Sequence, residues 1–218
     1  MSEDKLIQND DLKNEQDEEP ASNHQKLEPE YGKYMYWEII RDFPIMADYI
    51  GHYIQGNRFT AVNLIDLASS LGLRLDYSSE LRTDFKLYRT KKSDIDVLIV
   101  SARHASIQDK AWYAAKGMAN YILGDAEYVP DFSQNQGALN KWTDEKIAAK
   151  LLLPNDLLER DIDFATTYNR DLLNEVGERN AGALFPYARL NIIGHTAAQI
   201  ANVPDWLMEQ RVDEFYNG

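Results

Sequence analysis

The sequence contains no cysteine and no unbroken apolar run of about 18 residues. Without cysteine, disulfide bonds, thiolate zinc sites and cysteine nucleophiles are excluded. Without such an apolar run, no membrane-spanning helix is expected. The acidic N-terminus, MSEDKLIQNDD, also lacks the apolar segment of a secretory signal. We therefore expect a cytoplasmic protein that has no membrane association.

Positive charge is scarce, because 23 Lys and Arg residues stand against 36 Asp and Glu residues and the formal net charge is −13. Residues 1–30 contain ten acidic residues and three lysines, a net of −7, which leaves −6 for the other 188 residues. This balance disfavours binding to nucleic acid or to an anionic membrane through general electrostatics. We therefore expect neither as a partner.

Three regions of different composition divide the chain. Residues 1–29 have almost no apolar side chains to bury, which predicts a disordered acidic tail. Residues 30–180 form the predicted main domain, and residues 181–218 form a C-terminal helix-turn-helix-like module packed on that same domain. The predicted fold class is α+β: mostly helical, with a small three-stranded antiparallel sheet and a C-terminal helical pair.

Alternating apolar residues in the first half of the chain indicate three strands. They are Leu73–Tyr77, Phe85–Thr90 and Ile95–Ser101. The polar residues 91–94, between the last two, predict a hairpin turn. Because a hairpin joins antiparallel strands, this turn favours an antiparallel sheet.

The stretch from Ser106 to Asp125 predicts a central helix. Apolar residues at steps of four, three and four form one face: Ala111, Ala115, Met118 and Ile122. Lys116 and Asn120, four residues apart, project together from a polar stripe on the opposite side. Gly124 stands where a glycine commonly ends a helix.

Proline and capping residues predict the other helices. These are a short helix before Pro44, a helix at 45–55, a helix capped by Thr60, a helix from Thr143 that ends before Pro154, a helix at 155–174, and a helix, turn and helix at 194–216. The chain order is therefore helices, a small sheet, the central helix and a helical C-terminal half.

This order of parts, together with three segments, resembles the ImmA/IrrE family of zinc metallopeptidases. In that family an H-E-x-x-H helix holds the metal, and Ala115–Leu123 matches its apolar frame. Lys146–Pro154 is similar to a family segment that lies downstream, and Ala198–Arg211 is similar to the family's C-terminal end. The resemblance implies a zincin-like domain. It also implies action on, or with, repressor-type regulators of phages and mobile elements.

The residues at the zinc-site positions depart from that family. Lys116 occupies the first histidine position, Gly117 the base position and Asn120 the second histidine position. A lysine is cationic at pH 7, an asparagine amide is a poor zinc ligand, and a glycine cannot accept a proton from water. The family's carboxylate ligand falls near Asp144 and Glu145. We predict a degenerate site with no catalytic residue, no metal and no cofactor, in which Lys116 pairs with one of these carboxylates.

The histidines support a second interpretation. His104, just after the last predicted strand, is expected near the mouth of the cleft that the resemblance implies. A zinc metallopeptidase with relocated ligands would use His52, His104 and a carboxylate. However, no two of the four histidines are three or four residues apart, which is the spacing expected of a helical ligand pair.

The C-terminal helices support a third interpretation, a DNA-binding transcription regulator. Acidic residues argue against it, because residues 190–218 contain a single arginine, Arg211, beside four carboxylates. The first interpretation is a catalytically inactive ImmA/IrrE-like protein that acts as a protein-binding regulatory scaffold in phage or mobile-element repressor control. Its expected partner is a cytoplasmic protein such as a helix-turn-helix repressor. The sequence leaves the partner's identity, the host, the oligomeric state and residual metal binding open.

Overall fold

The structure is a computed structural model that describes residues 35–51, 61–88, 95–124, 141–179 and 185–217. Four features predicted from the sequence lie outside the described residues. They are the acidic tail at 1–29, the relocated ligand His52, the N-cap at Thr60 and the hairpin turn at 91–94.

The described residues are mostly helical and contain one small sheet, which confirms the α+β class. The helices are α1 (Trp37–Asp42), α2 (Ala47–Ile50), α3 (Leu64–Ser70), α4 (Ile107–Leu123), α5 (Asp144–Leu152), α6 (Asn155–Tyr168), α7 (Arg170–Arg179), α8 (Phe185–Ala201) and α9 (Asp205–Asn217), with a 3₁₀ turn at Pro44–Met46. The strands are β1 (Leu73–Ser78), β2 (Phe85–Tyr88) and β3 (Asp96–Ser101).

The predicted central helix is confirmed as α4, and both of its ends have local causes. The Ser106 hydroxyl accepts a hydrogen bond from the backbone N–H of Asp109 at 2.9 Å, which caps the first turn. At the other end Gly124 has a φ of +74°, a left-handed conformation that glycine adopts at low cost. Between these ends, the small and apolar side chains of α4 are buried against the sheet and α5.

The sheet is mixed, so the prediction of an antiparallel sheet is wrong for one of its two strand pairs. The strand order is β1-β3-β2, with β2 antiparallel to β3 and β1 parallel to β3. The central position of β3 agrees with its burial, because Val97, Leu98 and Val100 are buried, whereas β1 and β2 have one buried residue each, Leu73 and Leu87. Alternation identifies which side chains are buried, but it does not give the order or direction of strands.

Helix boundaries differ from the predictions in four places. The helix predicted at 45–55 is a 3₁₀ turn at Pro44–Met46 followed by α2, which ends at Ile50. The third helix begins at Leu64, because the Asn63 side chain accepts hydrogen bonds from two backbone N–H groups of its first turn. The helix predicted at 155–174 is divided at Asn169, whose side-chain amide donates to Ala165 O at 2.9 Å and to Thr196 Oγ1 at 2.8 Å. The helix predicted from residue 194 begins earlier, as α8.

One apolar core joins the two predicted regions, residues 30–180 and residues 181–218. α4 packs against α5 and β3, while α8 packs against α6 and α9. Buried residues from all these elements, among them Met118, Ile147, Leu158, Ala197 and Leu207, belong to a single cluster. Within the described ranges, no helix has the length and apolar character that crossing a membrane requires.

Candidate functional site

The first turn of α5 places two carboxylates opposite the polar stripe of α4. Thr143 is the N-cap, as predicted, because its hydroxyl accepts a hydrogen bond from the backbone N–H of Lys146 at 3.2 Å. Asp144 and Glu145 follow directly, where the positive end of the helix dipole favours acidic residues. Because α4 and α5 pack together, these carboxylates lie beside Lys116.

The predicted pairing of Lys116 is confirmed, and it involves both carboxylates. Its Nζ atom lies 3.2 Å from Glu145 Oε1 and 3.4 Å from Asp144 Oδ2, and its side chain is only 20 % exposed. Burial alone would lower the pKa of Lys116, but the hydrogen bond to Glu145 and the charge of Asp144 outweigh it, so the pKa is raised. The ammonium is therefore held firmly in its charged form.

Asn120, at the position of the family's second histidine, completes the cluster. Its amide nitrogen donates to the Lys116 carbonyl oxygen at 3.0 Å and lies 3.4 Å from Asp144 Oδ2. The side chain is partly buried, as predicted, so these bonds satisfy a group that would otherwise cost about 1–3 kcal/mol. Asp144 thus lies between two donors of α4, an ammonium and an amide.

Gly117, at the base position, does not face this cluster. A Cβ atom built on Gly117 would lie 2.4 Å from Leu98 Cδ1 and 2.8 Å from Leu98 Cδ2. Leu98 is fully buried on β3, so the missing side chain allows close packing of the helix on the sheet. The position predicted for a lost general base is therefore filled by the apolar core.

His104 lies beside the polar stripe of α4 but outside the cluster. Its ring stacks on Tyr113 with a centroid distance of 4.1 Å and an interplanar angle of 18°. Its Nε2 atom is buried, lies 3.6 Å from Asp84 Oδ1 and has no hydrogen-bond partner in the described part of the chain. Tyr113 precedes Lys116 by three residues, so His104 lies about one turn of α4 before Lys116 and not beside Lys116 and Asn120.

The residues at the predicted zinc-site positions do not fit zinc. Lys116 and Asn120, at the predicted histidine positions, present an ammonium and an amide, and both contact Asp144, a predicted carboxylate ligand. Moreover, no group of three or more His, Asp or Glu side chains within the described ranges has an arrangement suited to a metal ion. The arrangement is instead an electrostatic link between α4 and α5.

The structure also reveals two buried polar residues whose roles the sequence analysis missed. Arg211 is 1 % exposed and donates to Leu153 O at 3.2 Å, Asn155 Oδ1 at 2.6 Å and Glu214 Oε2 at 2.8 Å. Asp161 is fully buried, and neither of its carboxyl oxygens has a hydrogen-bond partner among the described residues. A signal for Asp161 was present, because it stands in the apolar stripe of α6 four residues before Ala165.

No protein-family model, no curated protein and no solved structure matches this chain.

Proposed function

We propose that this chain is a catalytically inactive, zincin-like protein of the ImmA/IrrE type that binds a protein partner without cleaving it. The partner that fits best is a helix-turn-helix repressor of a phage or mobile element. The observation that carries the proposal is the Lys116 cluster, in which an ammonium takes the place of a metal and contacts Asp144 and Glu145 at 3.4 and 3.2 Å. Such a cluster keeps the two helices together and supplies neither a Lewis acid nor a base.

The packing of Gly117 supports the absence of peptidase chemistry. General-base activation of water needs a carboxylate or imidazole that reaches the water. A side chain at this position would first meet Leu98 on β3, at 2.4 Å from its Cβ atom. The sheet therefore packs against Gly117, the residue at the base position, while Lys116 and Asn120 stand at the two histidine positions.

An apolar stripe on α6 and α7 supports a protein partner. Phe164 and Tyr168 are 55 % and 74 % exposed, and their rings stack with a centroid distance of 6.4 Å. Leu172, four residues further along, is also exposed. Exposed apolar residues that occur singly need no explanation, whereas two exposed aromatic rings that contact each other are typical of an interaction surface.

Charge around the apolar stripe indicates what kind of protein would bind. Among the described side chains of the same two helices, four exposed acidic residues stand against one exposed arginine, Arg170. The four are Glu159, Asp163, Asp171 and Glu175. An acidic surface complements a basic partner, and it also increases the association rate with one. The DNA-binding face of a repressor is basic, so a repressor domain meets this charge requirement.

The DNA-binding alternative lacks a basic surface on the C-terminal helices. Arg211 of α9 is buried and donates within the protein, so it is not placed to reach a phosphate. The accessible charged residues of α9 are acidic: Asp205, Glu209, Asp213 and Glu214. The alternative of a metallopeptidase with relocated ligands has no specific observation in its favour among the described residues.

The proposal is tested by affinity purification with three versions of the full chain: the natural protein, the double variant Phe164→Ala/Tyr168→Ala, and Ile65→Ala. Ile65 is the matched control, because it is an equally exposed apolar side chain on a distant helix, α3. We expect a helix-turn-helix repressor to bind the natural protein and the control, to be lost from the double variant, and to keep its full length during incubation. Cleavage of the repressor, or equal retention by all three proteins, would overturn the proposal.

A further inference from the structure

The beginning of α5 separates its charges onto two sides. Asp144 and Glu145 face α4 and hold Lys116. The lysines of the same segment are directed elsewhere, into a pocket of about 210 Å³. This pocket is lined by Lys141, Trp142, Lys146, Lys150 and Glu214. Three lysines therefore line one concavity of a chain whose net charge is −13.

The three lysines differ in how they are paired. The Nζ atom of Lys141 lies 2.7 Å from Asp42 Oδ2, and that of Lys150 contacts Glu38 on α1. Lys146 is exposed and donates to the backbone carbonyl oxygen of Lys141 at 3.4 Å, and no carboxylate of the described residues forms an ion pair with it. One ammonium at the pocket therefore has unused capacity to bind an anion.

A buried guanidinium behind the pocket adds to its positive charge. Burial lowers the pKa of Lys150, and the charge of Arg211 lowers it further, although the bond to Glu38 partly offsets both effects. The single acidic lining residue, Glu214, is already engaged by Arg211 at 2.8 Å and by Gln210 at 2.9 Å. Positive groups thus exceed negative ones around the pocket, which favours an anion there.

We propose that this pocket binds a compact oxyanion of the phosphate or carboxylate class, with Lys146 as its principal contact and Lys141 as the second. The pocket volume of about 210 Å³ is below the range of roughly 300–1,000 Å³ that holds drug-sized ligands, so it suits a small anion better than a nucleotide. Lysine serves such a ligand as a point charge with three donors. This inference is independent of the proposed protein partner.

Trp142 is a built-in reporter for this site. Its indole N–H donates to Asp42 Oδ2 at 2.7 Å, and Lys141 donates to the same oxygen at 2.7 Å. An anion that draws Lys141 away from Asp42 therefore removes the ammonium that shares this oxygen with the indole N–H. The indole N–H resonance, assigned with a Trp142→Phe variant, should shift on binding.

The experiment titrates the full-length protein with inorganic phosphate and, separately, with citrate, while sodium chloride keeps the ionic strength constant. We expect the Trp142 resonance to shift with a saturable curve for at least one of the two probes, and the stronger probe identifies the ligand class. A shift that follows ionic strength alone, or no saturation with either probe, would overturn the proposal.

Two lysine variants separate a site from general charge. Lys146→Gln should weaken binding by about threefold to tenfold, which corresponds to the loss of one charge-assisted contact. Lys110→Gln removes the same charge from α4, away from the pocket lining, and should leave the affinity unchanged. Equal weakening by both variants would show an effect of net charge and would also overturn the proposal.

Discussion

Gly117 of α4 lies so close to Leu98 of β3 that a Cβ atom added to the glycine would be 2.4 Å from Leu98 Cδ1. Real Cβ atoms essentially never approach another heavy atom this closely, so any larger residue requires Leu98 or the strand to move. The side chains of Lys116 and Asn120, by contrast, face Asp144, and Lys116 also faces Glu145. A zinc site could therefore be introduced at Lys116 and Asn120 without moving the sheet, whereas a side chain at Gly117 could not.

The first prediction concerns zinc. The double variant Lys116→His/Asn120→His keeps Gly117 and places two imidazoles four residues apart beside Asp144, a donor set that suits zinc. We expect it to bind zinc and to gain thermal stability from it, because a ligand that binds only the folded state stabilises that state. The measurement is the melting temperature with zinc and with a chelator. The natural protein, as the control, should show no difference.

Adding Gly117→Glu to this double variant should be harmful. The new side chain would be forced against the buried Leu98, at an expected cost of about 1–3 kcal/mol or more in the free energy of unfolding. Chemical unfolding of the triple and double variants measures this difference. If the triple variant were as stable as the double variant, the tight contact between α4 and β3 would not be a constraint.

The second prediction concerns the Lys116 link. Replacing Lys116 by Met removes the ammonium and leaves Asp144 and Glu145 without it. Because Glu145 is largely exposed and Asp144 is one-third exposed, water compensates for most of the loss, and we expect a cost of only about 0.5–1 kcal/mol. Urea unfolding at low and high salt measures it, and the cost should shrink at high salt. Lys110→Met, on the same helix, is the matched control and should be close to neutral.

The third prediction concerns the pH dependence of stability. Burial raises the pKa of Asp161 to about 7 from a usual value of 3.8, and the charge of Arg160 lowers it only in part. The folded protein therefore keeps this proton while the unfolded chain releases it. Its contribution to stability is fully present below about pH 4 and is lost as the pH rises to about 7, at most about 4 kcal/mol in total.

An Asp161→Asn variant tests this dependence. The amide cannot ionise, so the variant should be more stable than the natural protein at pH 8 and should lack the decline between pH 4 and pH 7 that this carboxyl causes. The measurement is the free energy of unfolding across this range. Asp163→Asn, an exposed neighbour on α6, should leave the decline in place. A decline that is identical in both variants would contradict the assignment to Asp161.

The fourth prediction concerns Arg211. Its guanidinium joins α9 to the beginning of α6 through Asn155 and to the end of α5 through Leu153 O. Arg211→Leu leaves those acceptors unsatisfied in a buried region and should cost about 2–4 kcal/mol in the free energy of unfolding. Arg189→Leu, which changes an exposed arginine of α8, should cost far less. Equal costs in chemical unfolding would be inconsistent with a structural role for the buried guanidinium.

The fifth prediction concerns the acidic N-terminal segment. Residues 1–29 carry few apolar side chains, so their removal should leave the melting temperature within a few degrees of that of the full chain. Differential scanning calorimetry of the two proteins measures this. A larger decrease would show that the segment packs on the rest of the protein.

Local signals in the sequence were sufficient for much of the helical structure. The Ser106 cap, the apolar spacing of α4 and the left-handed Gly124 all act within a few residues, and so the sequence alone located this helix. Thr143 did the same for α5. The departure of Lys116, Gly117 and Asn120 from an H-E-x-x-H pattern was equally visible, because it depends on residue identity and spacing and not on the fold.

The tertiary structure decided what depends on residues far apart in the chain. Whether Lys116 meets Asp144 and Glu145 depends on the packing of α4 against α5, and the sequence could offer that pairing only as a hypothesis. Whether two strands pair in parallel depends on how the chain connects and packs them, and the alternation of side chains is the same in parallel and antiparallel pairs. The parallel pairing of β1 with β3 was therefore missed.

Burial of polar side chains was the other property that only the tertiary structure could decide. Arg211 has the sequence context of a surface residue, yet its donors are satisfied by Leu153 and Asn155, more than fifty positions earlier. The raised pKa of Asp161 likewise results from the apolar helices packed around it. Spacing along a helix determines which side chains share a face. Only the packed fold determines whether that face is exposed to water, and exposure to water sets the free-energy cost of each charged side chain on it.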